Sequence, residues 1–352
     1  MPDGLSQLNF EDQQRYVYDS CYNRVEKNGD AWQVNELNEL LSTDRAVCCY
    51  DLNGNLISKR TPEATVQFRY DALNRLIEAT TEKMRYRMVY DPLGRRLRKE
   101  TFGKTNWYWR LLDTEDWHLI DTENYLYDGN HEIAAYTAEG QAKQLRVLGR
   151  SDQPVPATLA IELAGKCYVP IVDCQGNICR LLDPMANRIA ERYDFTAFGL
   201  EQPNGQAYLN PWRYASKRTD SGLNLVYYGQ RYYDPQLARW LTTDPAGSID
   251  SFNLYQYTLN NPFRYTDPEG EFLFFLAVPF AQLFCSAIIL EAVVDATIIG
   301  LTAWGVYEGV RVVNESMEKR SGIGPKGGHH TNVREGNRGK HEKADAKRAK
   351  NS

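Results

Sequence analysis

Through the first 200 residues bulky and polar side chains alternate in short runs, as in Thr65-Val66-Gln67-Phe68-Arg69-Tyr70 and Arg85-Tyr86-Arg87-Met88-Val89-Tyr90. Every second residue is bulky, which predicts strands with one face on a core. Regular punctuation separates the runs. Tyr-Asp recurs with Asn or Gly three to five residues later: Tyr18-Asp19 with Asn23, Tyr50-Asp51 with Asn53-Gly54-Asn55, Tyr70-Asp71 with Asn74, and Tyr90-Asp91 with Gly94. Weaker copies stand at Tyr127-Asp128-Gly129, Asp173-Cys174-Gln175-Gly176-Asn177 and Tyr193-Asp194 with Gly199. Asp51, Asp71 and Asp91 are spaced by twenty. In each copy a strand ends on Tyr, Asp bonds backbone N–H groups further on, Asn or Gly takes the left-handed position, and the next residue starts the returning strand. One copy is therefore one hairpin. A hairpin cannot bury its apolar face alone, so successive hairpins must join one extended sheet.

Composition sharpens this picture. Among 352 residues the 23 Tyr and 7 Trp outnumber the 12 Phe and 5 Met, a bias that suits half-buried strands and keeps a polar tip on each ring. The formal charge of −5 is uneven. Residues 319–352 carry ten Lys/Arg against Glu335, Glu342 and Asp345, which makes the tail +7 and residues 1–318 −12. Seven irregularly spaced cysteines (21, 48, 49, 167, 174, 179 and 285) form neither a disulfide framework nor a CxxC zinc pattern, so free thiols, no metal and no cofactor are expected. MPDGLSQLNFEDQQRYVYDS lacks a basic stretch followed by an apolar run, so the expectation is a secreted or cell-surface protein exported by a non-Sec route, with membrane association left open.

The Tyr-Asp copies resemble the RHS/YD-repeat proteins, and a later stretch is similar to the RHS repeat-associated core of that family. It runs from Asn210-Pro211-Trp212-Arg213-Tyr214 through Arg231-Tyr232-Tyr233-Asp234-Pro235, Arg239-Trp240 and Asp244-Pro245-Ala246-Gly247 to Asn261-Pro262 and Asp267-Pro268-Glu269-Gly270. The resemblance covers roughly residues 15–270. One departure is Ala238, where the family usually has Gly. The resemblance implies a mainly β fold in which hairpins form a curved sheet, part of a hollow shell, with the core sealing one end and a variable C-terminal segment, often a toxin, after it. This chain is too short for a closed shell; the expectation is an incomplete sheet, a C-terminal piece of a larger one. Its edges need cover against aggregation. The expected parts are the YD-repeat sheet over 1–200, the core over 201–270, an apolar helical segment over 271–318 and a disordered basic tail over 319–352.

Asp244 and Asp267 lie in two D-P-x-G motifs twenty-three residues apart. In the family the aspartates of these motifs are implicated in self-cleavage just after the second one. Two carboxylates held close cannot both ionise, so one keeps its proton as acid while the other activates water. Both are also good turn formers. Glu271 and Phe272 follow the second motif where cleaving relatives carry Leu.

Beyond the core, Phe272 to Leu290 is nineteen residues without a formal charge, broken by Pro279 and Gln282, and Ala296 to Tyr307 is apolar again. Nineteen residues just suffice to cross a bilayer, so membrane contact through 272–307 competes with a helix packed on the sheet. The tail holds His329-His330 and His341-Glu342 but no complete nuclease constellation, and nucleic-acid binding is not expected. The reading as a whole is a structural scaffold of a polymorphic toxin system that presents or encloses its C-terminal segment. Its partners would be the rest of a shell, a toxin cargo or an immunity protein. Two alternatives stay open: a surface carbohydrate-binding protein using exposed Tyr and Trp, and an autoproteolytic enzyme using Asp244 and Asp267.

Overall fold

The computed structural model describes residues 7–11, 14–104, 117–149, 156–202, 209–249, 251–271 and 274–275. Among them the regular structure is almost all strand. A small antiparallel sheet comes first: β1 (Phe10–Glu11), β2 (Gln14–Tyr18), β3 (Arg24–Lys27) and β4 (Asp30–Ala31). The large sheet follows in strict chain order with β5 (Gln33–Val34), β6 (Leu40–Ser42), β7 (Val47–Tyr50), β8 (Leu56–Arg60), β9 (Thr65–Tyr70), β10 (Leu76–Thr80), β11 (Met84–Tyr90), β12 (Arg96–Lys104), β13 (Trp117–Asp128), β14 (His131–Tyr136), β15 (Ala142–Leu148), β16 (Thr158–Leu163), β17 (Lys166–Val172), β18 (Ile178–Asp183) and β19 (Arg188–Arg192). Each strand pairs with its neighbours in sequence, and the edges β5 and β19 do not pair with each other. The sheet is open and mainly local, as a run of hairpins must be.

The turns explain the repeat. Asp51 Oδ1 accepts the N–H groups of Asn53 (2.9 Å) and Asn55 (2.8 Å), Asp71 Oδ1 those of Leu73 and Arg75, Asp91 Oδ1 those of Leu93 and Arg95, and Asp173 Oδ1 those of Gln175 and Asn177. The left-handed residue is Gly54, Asn74, Gly94 or Gly176 in turn, at φ between 58° and 84°. The turn at Asn35 has the same geometry, with Asn35 Oδ1 bonded to the N–H groups of Leu37 and Glu39 and Asn38 at φ 63°; it escapes the Tyr-Asp pattern because Val34-Asn35 stands in place of Tyr-Asp. The repeat tyrosine also has a job that Phe cannot do. Tyr70 Oη donates to the Leu56 carbonyl (2.8 Å), Tyr90 Oη to that of Leu76 (2.7 Å) and Tyr127 Oη to that of Arg96 (2.9 Å), so each ring ties its hairpin to the preceding one.

One face of the sheet is buried by the core. Core strands β20 (Arg218–Asp220), β21 (Leu225–Tyr227), β22 (Tyr232–Asp234) and β23 (Arg239–Trp240) form an antiparallel sheet, followed by β24 (Tyr265–Thr266) and β25 (Phe274–Phe275). Leu40, Leu56, Phe68, Leu76, Tyr86 and Met88 of the large sheet pack with Leu225, Tyr227, Tyr232 and Leu241 of the core. Burial of one such side chain is worth about 1.5–3 kcal/mol. Alternate residues Gln67, Arg69 and Arg87 face solvent.

The row of turns curls around this core. Tyr22 and Asn23 reach Asn260 and Asn253, Gly54 reaches Tyr255, Asn130 reaches Glu269, and Gln175 reaches Pro262. The first and last of these turns thus contact core residues two apart in sequence. Both are gripped by left-handed single turns of 3-10 helix: Thr258–Asn260 (φ 47–56°) meets Tyr22, and Ala215–Ser216 (φ 50–52°) meets Gly176 and Asn177. Left-handed backbone costs about 1–2 kcal/mol per residue, so these contacts hold a strained path in place. Beyond β19, Phe198 packs edge-on to Tyr16 (5.4 Å) and Ala197 N–H donates to Glu11, which bridges the open edge to the small sheet with side chains rather than strand pairing.

Candidate functional site

Within the core, Tyr232, Tyr233 and Asp234 of β22 and Arg239 and Trp240 of β23 are buried. They are structural. Arg96 Nη1 donates to Tyr232 Oη (2.5 Å), Tyr233 Oη donates to the Phe198 carbonyl, and Lys59 pairs with Asp234 at 2.5 Å. Arg239 donates to the Asn38 carbonyl, and Trp240 joins Tyr228, Tyr233 and Tyr257 in an aromatic cluster. Pro235 follows β22 into its turn, and Asn261-Pro262 closes the second left-handed turn, with the Pro262 carbonyl on Gln175. Ala238 has φ 54° and is buried, which gives a physical reason for glycine at that place.

Asp244 and Asp267, far apart in sequence, meet at one guanidinium. Arg231 Nη2 lies 2.6 Å from Asp244 Oδ2 and 3.4 Å from Asp267 Oδ2. Its Nε donates to the Gly270 carbonyl (2.5 Å), its Nη1 donates to the Leu254 carbonyl (3.2 Å), and its face lies 4.2 Å from the Trp240 ring. Arg231 was legible only as part of the core motif. The signal for more was a cation set just before a strand of buried aromatics, which needs carboxylates.

The two D-P-x-G segments do more than turn the chain. Asp244 Oδ1 accepts from Ala246 N–H (2.9 Å), while Gly247 at φ 73° closes the Pro245 turn back to the Asp244 carbonyl. Asp267 Oδ1 accepts from the N–H groups of Gly270 (2.7 Å) and Glu271 (3.0 Å), with Pro268 buried beneath and Gly270 at φ 81°. The Gly270–Glu271 peptide is therefore held at both ends, its oxygen on Arg231 and its nitrogen on Asp267. Burial pushes the Asp267 carboxyl up to about 6, against the lowering pull of Arg231 and the two N–H groups. Burial also lowers Arg231, and burial with the charges of Glu269 and Asp244 raises Glu271. A polar cavity of about 20 Å³ opens between Arg231, Asp244, Asp267, Asn253 and Gln256, room for about one water molecule.

Among the described residues no cluster of acidic, His or Cys side chains fits a metal ion, and their six cysteines are unpaired. Among the described residues no Tyr or Trp is fully exposed; the exposed rings are Phe10, Phe252 and Phe263. None of their helices is long and apolar enough to cross a membrane. Of the expected apolar helical segment 271–318, within which membrane contact through 272–307 was expected, only 271 and 274–275 are described, and Phe274–Phe275 is a strand rather than helix because it pairs with Tyr265–Thr266; the rest of that segment and the basic tail 319–352 lie outside the described residues.

An open meander of Asp-capped hairpins around a core with paired D-P-x-G segments defines a class of β-repeat protein. The chain carries an RHS repeat and is similar to the RHS/YD-repeat proteins. The profile described as RHS Repeat matches residues 50–83. The tRNA3(Ser)-specific nuclease WapA of Bacillus spizizenii is 26% identical over 278 residues, 73% of this chain and 11% of that protein. Toxin subunit YenC2 of Yersinia entomophaga is 53% identical over 58 residues, 16% of this chain and 6% of its own length. The double-stranded DNA deaminase toxin A of Burkholderia cenocepacia is 26% identical over 245 residues, 63% and 16%. The chain thus spans 16% or less of the length of these relatives. The crystal structure of TcdB2-TccC3-TEV matches with TM-score 0.43 and 18% identity over 73% of this chain and 17% of its own.

Proposed function

We propose that the chain is the scaffold part of a polymorphic toxin system, working outside the producing cell, in which sheet and core together hold and present the segment that leaves the core at Glu271. The observation that carries this reading is the double anchor on the Gly270–Glu271 peptide by Arg231 and Asp267. It fixes where the following segment emerges. The rest of an RHS shell, a C-terminal cargo and its immunity protein are the partners this role calls for. Limited proteolysis of the full chain tests it: a resistant fragment ending close to residue 271 is expected, and cleavage scattered through 209–270 with the downstream segment intact would remove the basis for it.

A second reading is favoured by the shared guanidinium: self-cleavage at the anchored peptide. A water in the polar cavity adds its oxygen to the Gly270 carbonyl carbon and gives its proton to Asp244, which holds the shorter contact with Arg231. Arg231 Nε faces the oxygen on which negative charge develops. Asp267, beside the Glu271 nitrogen, delivers its own proton to that nitrogen as the C–N bond breaks, leaving a Gly270 carboxyl and a Glu271 amine. Intact-mass spectrometry of the purified protein should show fragments 1–270 and 271–352, lost in Asp244→Asn; a full-length mass throughout prolonged incubation in acid and at neutral pH would sink this reading.

A further inference from the structure

This inference rests on the self-cleavage reading. Two acids pair with Arg231, and a third, Glu271, adjoins the peptide that Arg231 and Asp267 anchor. Glu271 is the residue that carries the leaving nitrogen, its N–H is already on Asp267, and its carboxylate is attracted by Arg231 while Asp244 and Glu269 repel it. Glu269 in turn is held by the Asn130 amide at 3.0 and 3.2 Å, and the Lys217 ammonium beyond it feels both Glu269 and Asp267. One guanidinium therefore faces the charges of Asp244, Asp267 and Glu271.

We infer that Glu271 is the residue that sets when the site can act: ionised, it holds self-cleavage silent, and protonated, it releases it. The reason is electrostatic. As water adds to Gly270 the carbonyl oxygen takes on negative charge, and Arg231 is the cation placed to stabilise it. An ionised Glu271 in the adjoining residue draws on that same cation and sets a like charge beside the developing one. The deterrent vanishes on protonation, which burial and the neighbouring Asp244 and Glu269 already ease. Asp267 must also hold its proton to act as acid. The wild-type site consequently needs two protons in place and a Glu271→Gln site needs one.

The test follows the rate of fragment appearance from pH 5 to pH 8 in the full chain, the Glu271→Gln and Glu271→Leu forms, and Asp244→Asn. On the alkaline side the wild-type rate should fall by about a hundredfold per pH unit and the Glu271→Gln rate by about tenfold, with the variant at least about tenfold faster at pH 7.5. Glu271→Leu should follow Glu271→Gln. Superimposable profiles for wild type and Glu271→Gln would overturn the role of Glu271 while leaving self-cleavage standing. Absence of fragments from every form at every pH would overturn both.

Discussion

The repeat sheet and the core are built by opposite means. In the sheet the bonds that build the wall are near in sequence: Tyr70 bonds Leu56, Tyr90 bonds Leu76, and each strand after β5 pairs with the one just before it. In the core the decisive contacts are more than a hundred residues apart in the chain, as Lys59 with Asp234, Arg96 with Asp220, or Asn23 with Asn253. The sheet repeats one economical turn. The core concentrates buried charge and left-handed backbone, features that are unfavourable alone and persist only where many neighbours agree. Local repetition makes a wall, and long-range burial makes a site.

The sharpest way to break this contrast is at Arg96, which is 0% exposed, pairs with Asp220 at 2.6 Å and lies over the rings of Tyr125 and Tyr227. Arg96→Met strands Asp220 with Lys99 as its remaining cation, and should cost about 3–5 kcal/mol in urea unfolding. A loss under 1 kcal/mol would mean that core and sheet are not joined there.

Acid should separate the two regions next. Lys99, Arg218 and Lys143 hold Glu123 down to about 2 in spite of its burial. Its folded value is depressed, so its contribution is complete above the ordinary carboxylate range and lost as pH falls from about 5 toward 2, on the order of 3 kcal/mol. Stability measured against pH should decline through that window in wild type and much less in Glu123→Gln.

A smaller effect is expected at a turn. Asp71→Ala removes two backbone contacts and the side chain of Arg75 at a partly exposed tip and should cost about 1 kcal/mol, with the core's near-ultraviolet circular dichroism unchanged. Loss of that signal would show the wall and the core to be less separable than their contacts imply. The smallest change runs the other way: Ala238→Gly relieves φ 54° and should raise stability by at most about 1 kcal/mol, read as a shift of a few degrees in Tm.

The hairpins were legible because their signals are local. Asp51, Asp71, Asp91 and Asp173 each cap their turns through atoms two and four residues away, so the pattern is written in consecutive letters. The Asn35 turn lacks the pattern because Val34 stands where the repeat has Tyr and an amide oxygen replaces the carboxylate as acceptor. At the site, Asp244 and Asp267 stood out as twin D-P-x-G motifs, but that they share Arg231 did not. Nor was it visible that the Gly270–Glu271 peptide is anchored from both sides.

The order of letters alone determined that this chain makes Asp-capped hairpins, that these join as a mainly β meander, and that two carboxylates stand at matched turns near its end. Each of those facts depends on neighbours a few bonds apart, where backbone geometry leaves few choices. Only the tertiary structure decided that the turns curl around the core, that none of the described Tyr and Trp is fully exposed, and that Asp244 and Asp267 meet at Arg231. Those arrangements depend on burial of groups up to 253 residues apart, and the free energy of burying a charge is set by everything packed around it.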